Sequence, residues 1–464
     1  MKMSEGNLVL VLGLGESGLA MAQWCAGQGA RVRVADTREH PPGLAALRAS
    51  CPDVELLCGR DFDDTLLRGT SLVAVSPGVD LRHPLIAAAR AAGLPVVGEM
   101  TLFARALRQT GEHGRIVAVT GTNGKTTTTA LTAAALREAG VDAVAAGNIS
   151  PSALEELMRR RRERKPLPDC WVLELSSFQL ETMAELSLQA AAVLNVSDDH
   201  LDRHDNVDAY AGIKARIFDR AAIQVLNRDD ARVKAMARDG LQQIFIGAGA
   251  PERSTDFGLA VNGGELWLVR GEQRLLTVGD IPLAGHHNAL NVQAALALGV
   301  ALGADLTRLG EAVKRFRGLP HRMAVIARRA DGVTFYDDSK GTNVGATVAA
   351  LKGMQQSVVL IAGGDGKGQD FAPLRDAVAS SVRAVVLIGR DAARIGDVLQ
   401  GLDVDVFVAP DLGAAVERAD AAARAGDAVV FSPACASFDM FRNYVHRAEV
   451  FAEAVRRIAG EVLS

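Results

Sequence analysis

Short apolar runs alternate with helical stretches along the first part of the chain. The runs LVLVL (8–12), RVRVA (31–35) and SLVAV (71–75) are separated by stretches such as LAMAQWCAG (19–27), and PLIAAARAA (84–92) follows the last of them. Strand-like runs that alternate with helices are typical of a parallel sheet covered by helices. This part of the chain therefore predicts an α/β domain.

The same alternation starts again twice. A second series begins at RIVAV (115–119) and passes into β-rich segments with glycine turns after residue 247, and a third begins at VTFYDD (333–338), after the hinge-like FRGLPHR (316–322). We therefore predict an α/β protein of three domains. They are a Rossmann-like N-terminal domain (1–103), a central P-loop-type ATPase domain with a parallel sheet plus a small β-sheet (104–317) and a Rossmann-like C-terminal domain (318–464).

A glycine turn follows the first predicted strand. The segment GLGESG (13–18) has G-x-G-x-x-G spacing, and Asp36 ends the next predicted strand, where a ribose partner often lies. This spacing alone fits a nicotinamide cofactor, another nucleotide or only a tight strand-to-helix turn. Thr37 and Arg38 add a hydroxyl and a cation that suit a diphosphate.

A shortened phosphate loop opens the central domain. In GTNGKT (121–126) two residues, rather than the usual four, separate the first glycine from Gly-Lys. The amide groups at the start of the following helix would face a polyphosphate, Lys125 would neutralise it, and the Thr126 hydroxyl could hold Mg²⁺. The alternative is a glycine turn before a threonine-capped helix.

Two further loops carry groups suited to metal chemistry. Glu174 ends an apolar run and could complete the Mg²⁺ shell that Thr126 begins, or could instead cap the next helix through Ser176 or Ser177. NVSDDHLDRH (195–204) could be a second metal site or only a polar loop that starts a helix. Lys214, among apolar neighbours, has on composition alone the pattern of a lysine whose stem is covered and whose ammonium reaches water.

Charge and composition limit the partners. Lys and Arg total 51 against 55 Asp and Glu, and the net charge of −4 gives no general attraction for nucleic acid or anionic membranes. Five scattered cysteines without a C-x-x-C pair indicate reduced thiols. Because no apolar run is long enough to span a bilayer, we expect a cytoplasmic monomer that binds small molecules.

The candidate chemistry needs many positive charges. An anionic acceptor that approaches a γ-phosphate is repelled by about 4 kcal/mol for each pair of charges about 4 Å apart at an effective dielectric near 20. Lys125, Arg322, Lys340 and Lys367 could offset this repulsion together with Mg²⁺, and they come from two different domains. This distribution favours phosphoryl transfer in a cleft closed between domains.

An ordered set of motifs covers nearly the whole chain and resembles the Mur ligases, most closely those that add D-glutamate. The motifs are GLGESG, ADTR, SPGV, GTNGKT, GNIS, LELSSFQLE, NVSDDHLDRH, HHNALN, GLPHR, DDSKGTN, GGDGK and SPACASFDMF. The resemblance implies ATP-dependent ligation of D-glutamate to UDP-N-acetylmuramoyl-L-alanine in peptidoglycan synthesis. It implies an acyl phosphate, then a tetrahedral intermediate, and release of ADP and phosphate.

The resemblance also implies roles for residues at the nucleotide and the metals. Two Mg²⁺ sites are implied, with Lys214 carbamylated and thereby anionic. The implied metal-site residues are Thr126, Glu174, His200 and Lys214. The implied catalytic residues are Lys125, Glu174, His200 and Lys214. The implied ATP-binding residues are Thr122, Asn123, Gly124, Lys125, Thr126, Thr127, Thr128, Asn288, Asn291, Arg322 and Asp338.

Two substrate pockets are implied in the same way. The implied UDP-sugar contacts are Ser17, Thr37, Arg38, Ser76 and Asn148. The implied D-glutamate pocket consists of Lys340, Thr342, Lys367, Ser437, Phe438 and Tyr444, where two ammonium groups and hydroxyls suit carboxylates and aromatic rings suit the carbon chain. Glu16 lies beside the implied diphosphate site, so its carboxylate must point away or be offset by Arg38.

Three other interpretations remain open at this point. A nicotinamide-dependent oxidoreductase accounts only for the glycine turn and Asp36. A nucleotide-binding regulator without catalysis does not account for the cations and loops of the C-terminal domain. Another Mur ligase or a folylpolyglutamate synthase-like ligase would also form an amide with ATP, but for the synthase the resemblance would begin only at the phosphate-loop domain.

Overall fold

The computed structural model describes residues 6–111, 114–200, 203–283 and 287–459. It contains three mainly parallel sheets covered by helices, which confirms the predicted three-domain α/β class. Within the described ranges, no helix combines the length and the apolar character needed for a membrane span.

The first sheet has the strand order β3-β2-β1-β4-β5, with every pairing parallel. All five residues of β1 are buried, as expected of a central strand covered on both faces. The elements are β1 (Leu8–Leu12), α1 (Glu16–Gly27), β2 (Arg31–Asp36), α2 (Leu44–Ser50), β3 (Glu55–Cys58), a 3₁₀ turn (Asp64–Leu67), β4 (Thr70–Val75), α3 (Pro84–Ala91), β5 (Val96–Val97) and α4 (Glu99–Thr110).

The central sheet is also parallel, with the order β11-β10-β9-β6-β8-β7, and a small antiparallel sheet β12-β13-β14 follows it. The elements are β6 (Arg115–Thr120), α5 (Lys125–Glu138), β7 (Ala143–Gly147), α6 (Ala153–Arg162), β8 (Cys170–Glu174), α7 (Ser177–Thr182), β9 (Leu188–Val193), α8 (Val207–Ala215), a 3₁₀ turn (Arg216–Phe218), β10 (Ala221–Asn227), α9 (Ala231–Lys234), β11 (Gln242–Ile246), β12 (Phe257–Asn262), β13 (Glu265–Arg270), β14 (Gln273–Thr277), a 3₁₀ turn (Val278–Asp280), α10 (His287–Ala301) and α11 (Leu306–Arg315).

The third sheet has the order β15-β16-β20-β17-β18-β19, in which only the β15–β16 pairing is antiparallel among the described strands. The elements are β15 (Ala324–Arg328), β16 (Thr334–Asp337), α12 (Val344–Lys352), β17 (Val358–Gly363), α13 (Leu374–Ser381), β18 (Val382–Ile388), α14 (Ala392–Leu399), β19 (Asp405–Val408), α15 (Leu412–Ala422), β20 (Ala428–Phe431) and α16 (Tyr444–Ala459).

Helix α4 links the first sheet to the central one. The ring of Phe103 lies edge-on to Trp171 of β8, with 4.9 Å between the ring centroids. The Thr101 hydroxyl donates to the Thr182 carbonyl at 2.8 Å. The division predicted at residues 103–104 therefore lies within a continuous helix that packs on the central domain, and the first two sheets share one apolar core.

Candidate active site

The phosphate loop lies where β6 ends and α5 begins. Gly124 has a φ of 85°, which favours glycine, and a Cβ there would clash with Asn291 Oδ1. Asn195, after β9, holds the other side of the loop: its Oδ1 accepts from the Asn123 amide at 2.8 Å. No side chain caps the start of α5 among the described residues, so the first-turn amides remain available to an anion.

Two lysines lie against this loop. Lys125 Nζ donates to the carbonyls of Gly121 and Thr122 at 2.9 and 2.8 Å, and Lys214 Nζ donates to the same Gly121 carbonyl at 2.8 Å. Lys214 is 1% exposed, so its ammonium does not reach water and the interpretation from composition alone is wrong. Burial, followed by the charge of Lys125, lowers the pKa of Lys214 well below its usual value.

Glu174 lies at the end of β8, beside the loop. Its Oε1 accepts from Asn148 Nδ2 at 2.7 Å, while its Oε2 is buried without a hydrogen-bond partner in the described part of the chain. Ser176 and Gln179 form the capping box of α7 themselves. Glu174 is therefore not the cap of that helix, and it keeps one oxygen for a ligand.

His200 belongs to the loop after β9, of which residues 201–202 lie outside the described ranges. Its backbone has a φ of 54°, and its Nε2 is 3.7 Å from Asp199 Oδ2. Its ring lies edge-on to Phe178 with 4.9 Å between centroids. Across the described ranges, no three His, Cys, Asp or Glu side chains are grouped as a metal site. A metal here would need other ligands as well.

A cavity of about 700 Å³ lies at the carboxyl edge of the first sheet and extends to the central domain. Gly13, with a φ of 84°, lets the loop after β4 pack closely against the glycine turn, because a Cβ there would lie 2.9 Å from Ser76 Cβ. All five residues predicted to contact the UDP-sugar line this cavity: Ser17, Thr37, Arg38, Ser76 and Asn148.

Asp36 is used within the protein. Its Oδ2 accepts from the Leu14 amide at 2.7 Å, and Arg38 donates to both of its oxygens. Although burial opposes ionisation, the hydrogen bonds from Arg38 and Leu14 lower the pKa of Asp36. A carboxylate engaged in this way fixes the glycine turn and is not free for a ribose, which removes the main support for the oxidoreductase interpretation.

Glu16, on the wall of the same cavity, is also engaged within the protein. Its Oε1 accepts from the Ser152 amide at 2.9 Å, just before α6 of the central domain. The Arg38 guanidinium pairs with Asp36 rather than with Glu16. Glu16 therefore lines the first cavity with one carboxylate oxygen held by the central domain, and it forms no ion pair with Arg38 among the described contacts.

A second cavity of about 430 Å³ lies between α10, the segment 317–325 and α12. The predicted ATP-binding residues that line it are Asn123, Gly124, Thr127, Asn288, Asn291, Arg322 and Asp338. Lys340, which is predicted to bind D-glutamate, also lines this cavity.

The C-terminal domain reaches the phosphate loop across this cleft. Arg322 Nη2 donates to Thr126 Oγ1 at 2.6 Å. Asn123 and Asn343 exchange amide hydrogen bonds of 3.3 and 3.2 Å, although 220 residues separate them. Lys367 Nζ lies 4.0 Å from Asp199 Oδ1. Two cations of the C-terminal domain therefore lie against the central domain, Arg322 at the phosphate loop and Lys367 at the loop after β9.

Three family models match successive parts of the chain. The Mur ligase MurD-like N-terminal domain matches residues 7–98, the Mur ligase middle domain matches residues 119–299, and the Mur ligase glutamate ligase domain matches residues 321–435. The chain belongs to the Mur ligase family.

Similar proteins agree with this over the full length. The chain is 62% identical to the UDP-N-acetylmuramoylalanine–D-glutamate ligase of Aromatoleum aromaticum, covering 98% of each chain. It is 51% identical to the ligase of the same name from Nitrosospira multiformis, covering 97% of this chain and 96% of that one. UDP-N-acetylmuramate-alanine ligase MurC from Thermotoga maritima shares the fold, with a TM-score of 0.61, 20% identity and coverage of 97% and 99%.

In this Mur ligase the residues predicted for D-glutamate are spread over several loops. Lys340 Nζ lies 4.1 Å from the centroid of the Tyr444 ring, and the Thr342 amide donates to the Lys340 carbonyl at 2.9 Å. Ser437 is buried, with its carbonyl accepting from the Phe441 amide at 2.8 Å.

Neither cavity is lined by Phe438, Thr128, Thr122 or Lys367. Phe438 is 75% exposed, so its ring covers no pocket in this arrangement. Thr128 is fully buried inside the Mur ligase core and lines neither cavity, because it faces inward from the first turns of α5. Thr122 donates its hydroxyl to the Ser197 carbonyl at 3.2 Å, which fixes the loop. Lys367 is paired at long range with Asp199, as described above.

Several residues that organise the Mur ligase site were not predicted. Arg447 is buried and donates to the Ser339 and Cys435 carbonyls at 2.8 and 3.1 Å, tying together the loops after β16 and β20. Ser432 donates to Asp338 Oδ2 at 2.7 Å. Burial raises the pKa of Asp338 to about 7. The sequence around Arg447 contains no motif that indicates a role for this residue. Asn343 and Ser432, in contrast, lie in the motifs DDSKGTN and SPACASFDMF.

Proposed function

We propose that the protein is an ATP-dependent ligase that joins D-glutamate to UDP-N-acetylmuramoyl-L-alanine in cytoplasmic peptidoglycan precursor synthesis. The observation that carries this proposal is the convergence at Glu174. Asn148 links this carboxylate to the first cavity, and the phosphate loop beside it contacts the C-terminal domain. The names of the similar ligases support the same substrates.

Each domain has one task in this proposal. Residues 1–103 hold the UDP-sugar, residues 104–317 hold ATP, and residues 318–464 hold the incoming amino acid. Ligands of parallel sheets bind beyond the carboxyl ends of the strands, which is where the glycine turn, the phosphate loop and the loop after β16 lie. The three ligands would then meet near Glu174.

The reaction has two steps. The carboxylate of the L-alanine unit attacks the γ-phosphorus of ATP, the bond to ADP breaks, and an acyl phosphate forms. The amine of D-glutamate then attacks the acyl carbon, and the tetrahedral intermediate loses phosphate and a proton to leave the amide. Lys125 and Arg322 would offset the phosphate charge, because positioning and charge neutralisation dominate such transfers.

The residues present fit a divalent cation. Glu174 Oε2 is a buried carboxylate oxygen without a partner in the described ranges, and Thr126 offers a hydroxyl at the start of α5. Mg²⁺ prefers a few such oxygens together with phosphate oxygens and water. We assign Thr126 and Glu174 to one Mg²⁺ and His200 with Lys214 to a second. Bound Mg²⁺ would neutralise phosphate charge.

Lys214 can serve a metal only after modification, because an ammonium repels a cation. Its lowered pKa favours the neutral amine, which can add to CO₂ with loss of a proton to give a carbamate. The carbamate supplies oxygen ligands and one negative charge. The cation–π distance of 4.3 Å to Tyr210 and the bond to Gly121 hold Nζ beside the loop.

The amino-acid pocket is assigned to the C-terminal domain. Lys340 and Lys367 are suited to the two carboxylates of D-glutamate, with Thr342 and Ser437 as hydroxyl donors. Tyr444 would cover the carbon chain next to Lys340. Phe438 is exposed, so its part in this pocket requires a movement of its loop when the amino acid binds.

Phosphate release from ATP tests the proposal. Purified protein with Mg²⁺ is expected to release phosphate only when both UDP-N-acetylmuramoyl-L-alanine and D-glutamate are present. L-Glutamate and meso-diaminopimelate replace D-glutamate in parallel reactions. Faster release with either of them would show that the amino-acid assignment is wrong, and release without the UDP-sugar would contradict the ligase mechanism.

A further inference from the structure

A buried carboxylate with no assigned role lies behind the first cavity. Glu99, the first residue of α4, is 2% exposed. Its Oε2 accepts from the Ser17 hydroxyl at 2.7 Å, and its Oε1 accepts from the Leu154 amide at 3.0 Å. Glu99 therefore connects a residue of the cavity wall on α1 with the start of α6 in the central domain.

The groups around Glu99 do not favour its charge. Within the described ranges it forms no ion pair, and the charged side chain of the α1 first turn is another acid, Glu16. Burial raises the pKa of Glu99, and the Glu16 charge acts in the same direction, while the hydrogen bonds from the Leu154 amide and from the Ser17 and Ser152 side chains lower it.

The basic groups on the neighbouring helices are paired with acids or lie at the end of a helix remote from Glu99. On α4 itself, Arg105 donates to Glu185 at 2.8 Å. On α7, the charged residue Glu181 accepts from Arg203 at 3.0 Å. On α6, Glu155 adds a further acid near the start of the helix, and the four arginines stand in its last turn, Arg159, Arg160, Arg161 and Arg162.

The hydrogen bond to Glu99 limits what Ser17 can offer a ligand. A serine hydroxyl has one hydrogen, and an ionised carboxylate can only accept, so Ser17 must spend that hydrogen on Glu99. The diphosphate proposed for this cavity also has only acceptor oxygens. Ser17 can donate to the diphosphate only if the direction of the Ser17–Glu99 bond is reversed.

We propose that Glu99 takes up one proton from solvent when the anionic UDP-sugar binds, which lets the Ser17 hydroxyl donate to an oxygen of the ligand. The protonated carboxyl then donates to Ser17 Oγ and still accepts from the Leu154 amide through its other oxygen. Glu99 is a positioning residue in this scheme, since it acts on the ligand through Ser17. The proposal rests on the proposed binding of the UDP-sugar in the first cavity.

The sign of the pH dependence follows from this scheme. Glu99 has one pKa in the free protein and a higher one in the complex. Because the complex holds one proton more than the free protein, binding weakens as pH rises between these two values. The dissociation constant rises by up to about tenfold per pH unit in that window. The upper limit of this pH range is the pKa of Glu99 in the complex. The negative charge of the bound ligand raises that pKa, because it disfavours an ionised carboxylate nearby.

Calorimetric titration with UDP-N-acetylmuramoyl-L-alanine tests this scheme. The ligand has no terminal phosphate monoester, so it lacks the ionisation near pH 6 that would interfere. Titrations in buffers of different ionisation enthalpy, at several pH values between about 6 and 8.5, give the protons taken up per ligand bound. We expect uptake of up to one proton by the unmodified protein.

Glu99→Gln separates the proton from the shape of the side chain. The amide can donate to Ser17 and accept from Leu154 without a proton from solvent. We expect no uptake, a dissociation constant independent of pH, and binding tighter than in the unmodified protein at the highest pH. Glu16→Gln is the matched control, because it removes the neighbouring acid but leaves the Ser17–Glu99 bond, and it should retain uptake.

The outcomes are distinct. Uptake that disappears in Glu99→Gln and persists in Glu16→Gln supports the scheme. Binding without uptake in the unmodified protein, or uptake that persists in Glu99→Gln, overturns it while leaving the proposed function intact. Failure of the unmodified protein to bind the UDP-sugar at all would instead refute the proposed function. Thermal unfolding of each variant verifies that the fold is retained.

Discussion

Asn343 offers a test of whether the contact across the cleft serves the reaction. Its Oδ1 caps α12 by accepting from the Ala346 amide at 2.9 Å. The same side chain exchanges hydrogen bonds with Asn123, and its Nδ2 lies 3.3 Å from Asp199 Oδ2. One residue therefore combines a local role in α12 with a contact to the phosphate loop.

Two substitutions distinguish these roles. Asn343→Ser keeps a helix cap, since serine is a preferred capping residue, but its side chain is too short to reach Asn123. Asn343→Ala loses both. The three bonds across the cleft are 3.2 to 3.3 Å long, at the weak end of the range, so we assign each about 0.5 kcal/mol. Their loss costs the closed arrangement about 1.5 kcal/mol, and loss of the cap costs about 1 kcal/mol of stability.

The assay measures kcat/KM for D-glutamate together with thermal unfolding. We expect kcat/KM to fall about tenfold in both variants, because each 1.36 kcal/mol of lost stabilisation is about a factor of ten. Only Asn343→Ala should also unfold at a lower temperature. An Asn343→Ser variant with unchanged kcat/KM would show that the contact with Asn123 does not serve catalysis, and the reasoning would fail.

Three further predictions concern the metal groups and a buried acid. Lys214→Ala should lose activity that added short carboxylic acids partly restore, as measured by phosphate release, and a fully active variant would contradict the carbamate. Glu174→Gln should lower kcat by at least about a hundredfold and raise the Mg²⁺ concentration needed for half-maximal rate, since it removes charge at the open oxygen; an unchanged Mg²⁺ requirement would refute that assignment. The pKa of Asp338 is about 7 when folded and is lower when unfolded, so the folded state binds more protons between these values and stability falls as pH rises towards 7. Asp338→Asn should flatten this fall in thermal unfolding between about pH 5 and 7.5, and equal slopes would contradict it.

The sequence predicted the features that depend on local pattern. The strand-to-helix turns at residues 13–18 and 121–126 were recognisable because both need glycines and a following helix. After the second strand, Thr37 and Arg38 were recognisable by residue type, whereas Ser17, Ser76 and Asn148 were expected only from the resemblance to the Mur ligases; all five line the first cavity. The two glycine turns and the residues after the second strand each occupy one short segment. Features within one short segment can be recognised without knowledge of the tertiary structure.

Features that depend on distant parts of the chain could not be predicted. The pairing of Asn123 with Asn343 requires the loops of two domains to meet. Thr128 and Phe438 differ from expectation because the inner face of α5 and the exposure of a loop are set by packing. Lys214 has an unremarkable local sequence, and only the fold shows that its amine is buried beside Gly121.

The contacts that close the cleft use few of the charges that the reaction needs. Asn123 and Asn343 are neutral amides, Arg322 donates to a hydroxyl, and the ion pair between Lys367 and Asp199 is long at 4.0 Å. Short ion pairs in these places would have neutralised the cations before the phosphates arrived. Since the repulsion between ATP and the carboxylate must be offset by positive charge, contacts of this kind let the domains approach each other while the cations remain available to the substrates.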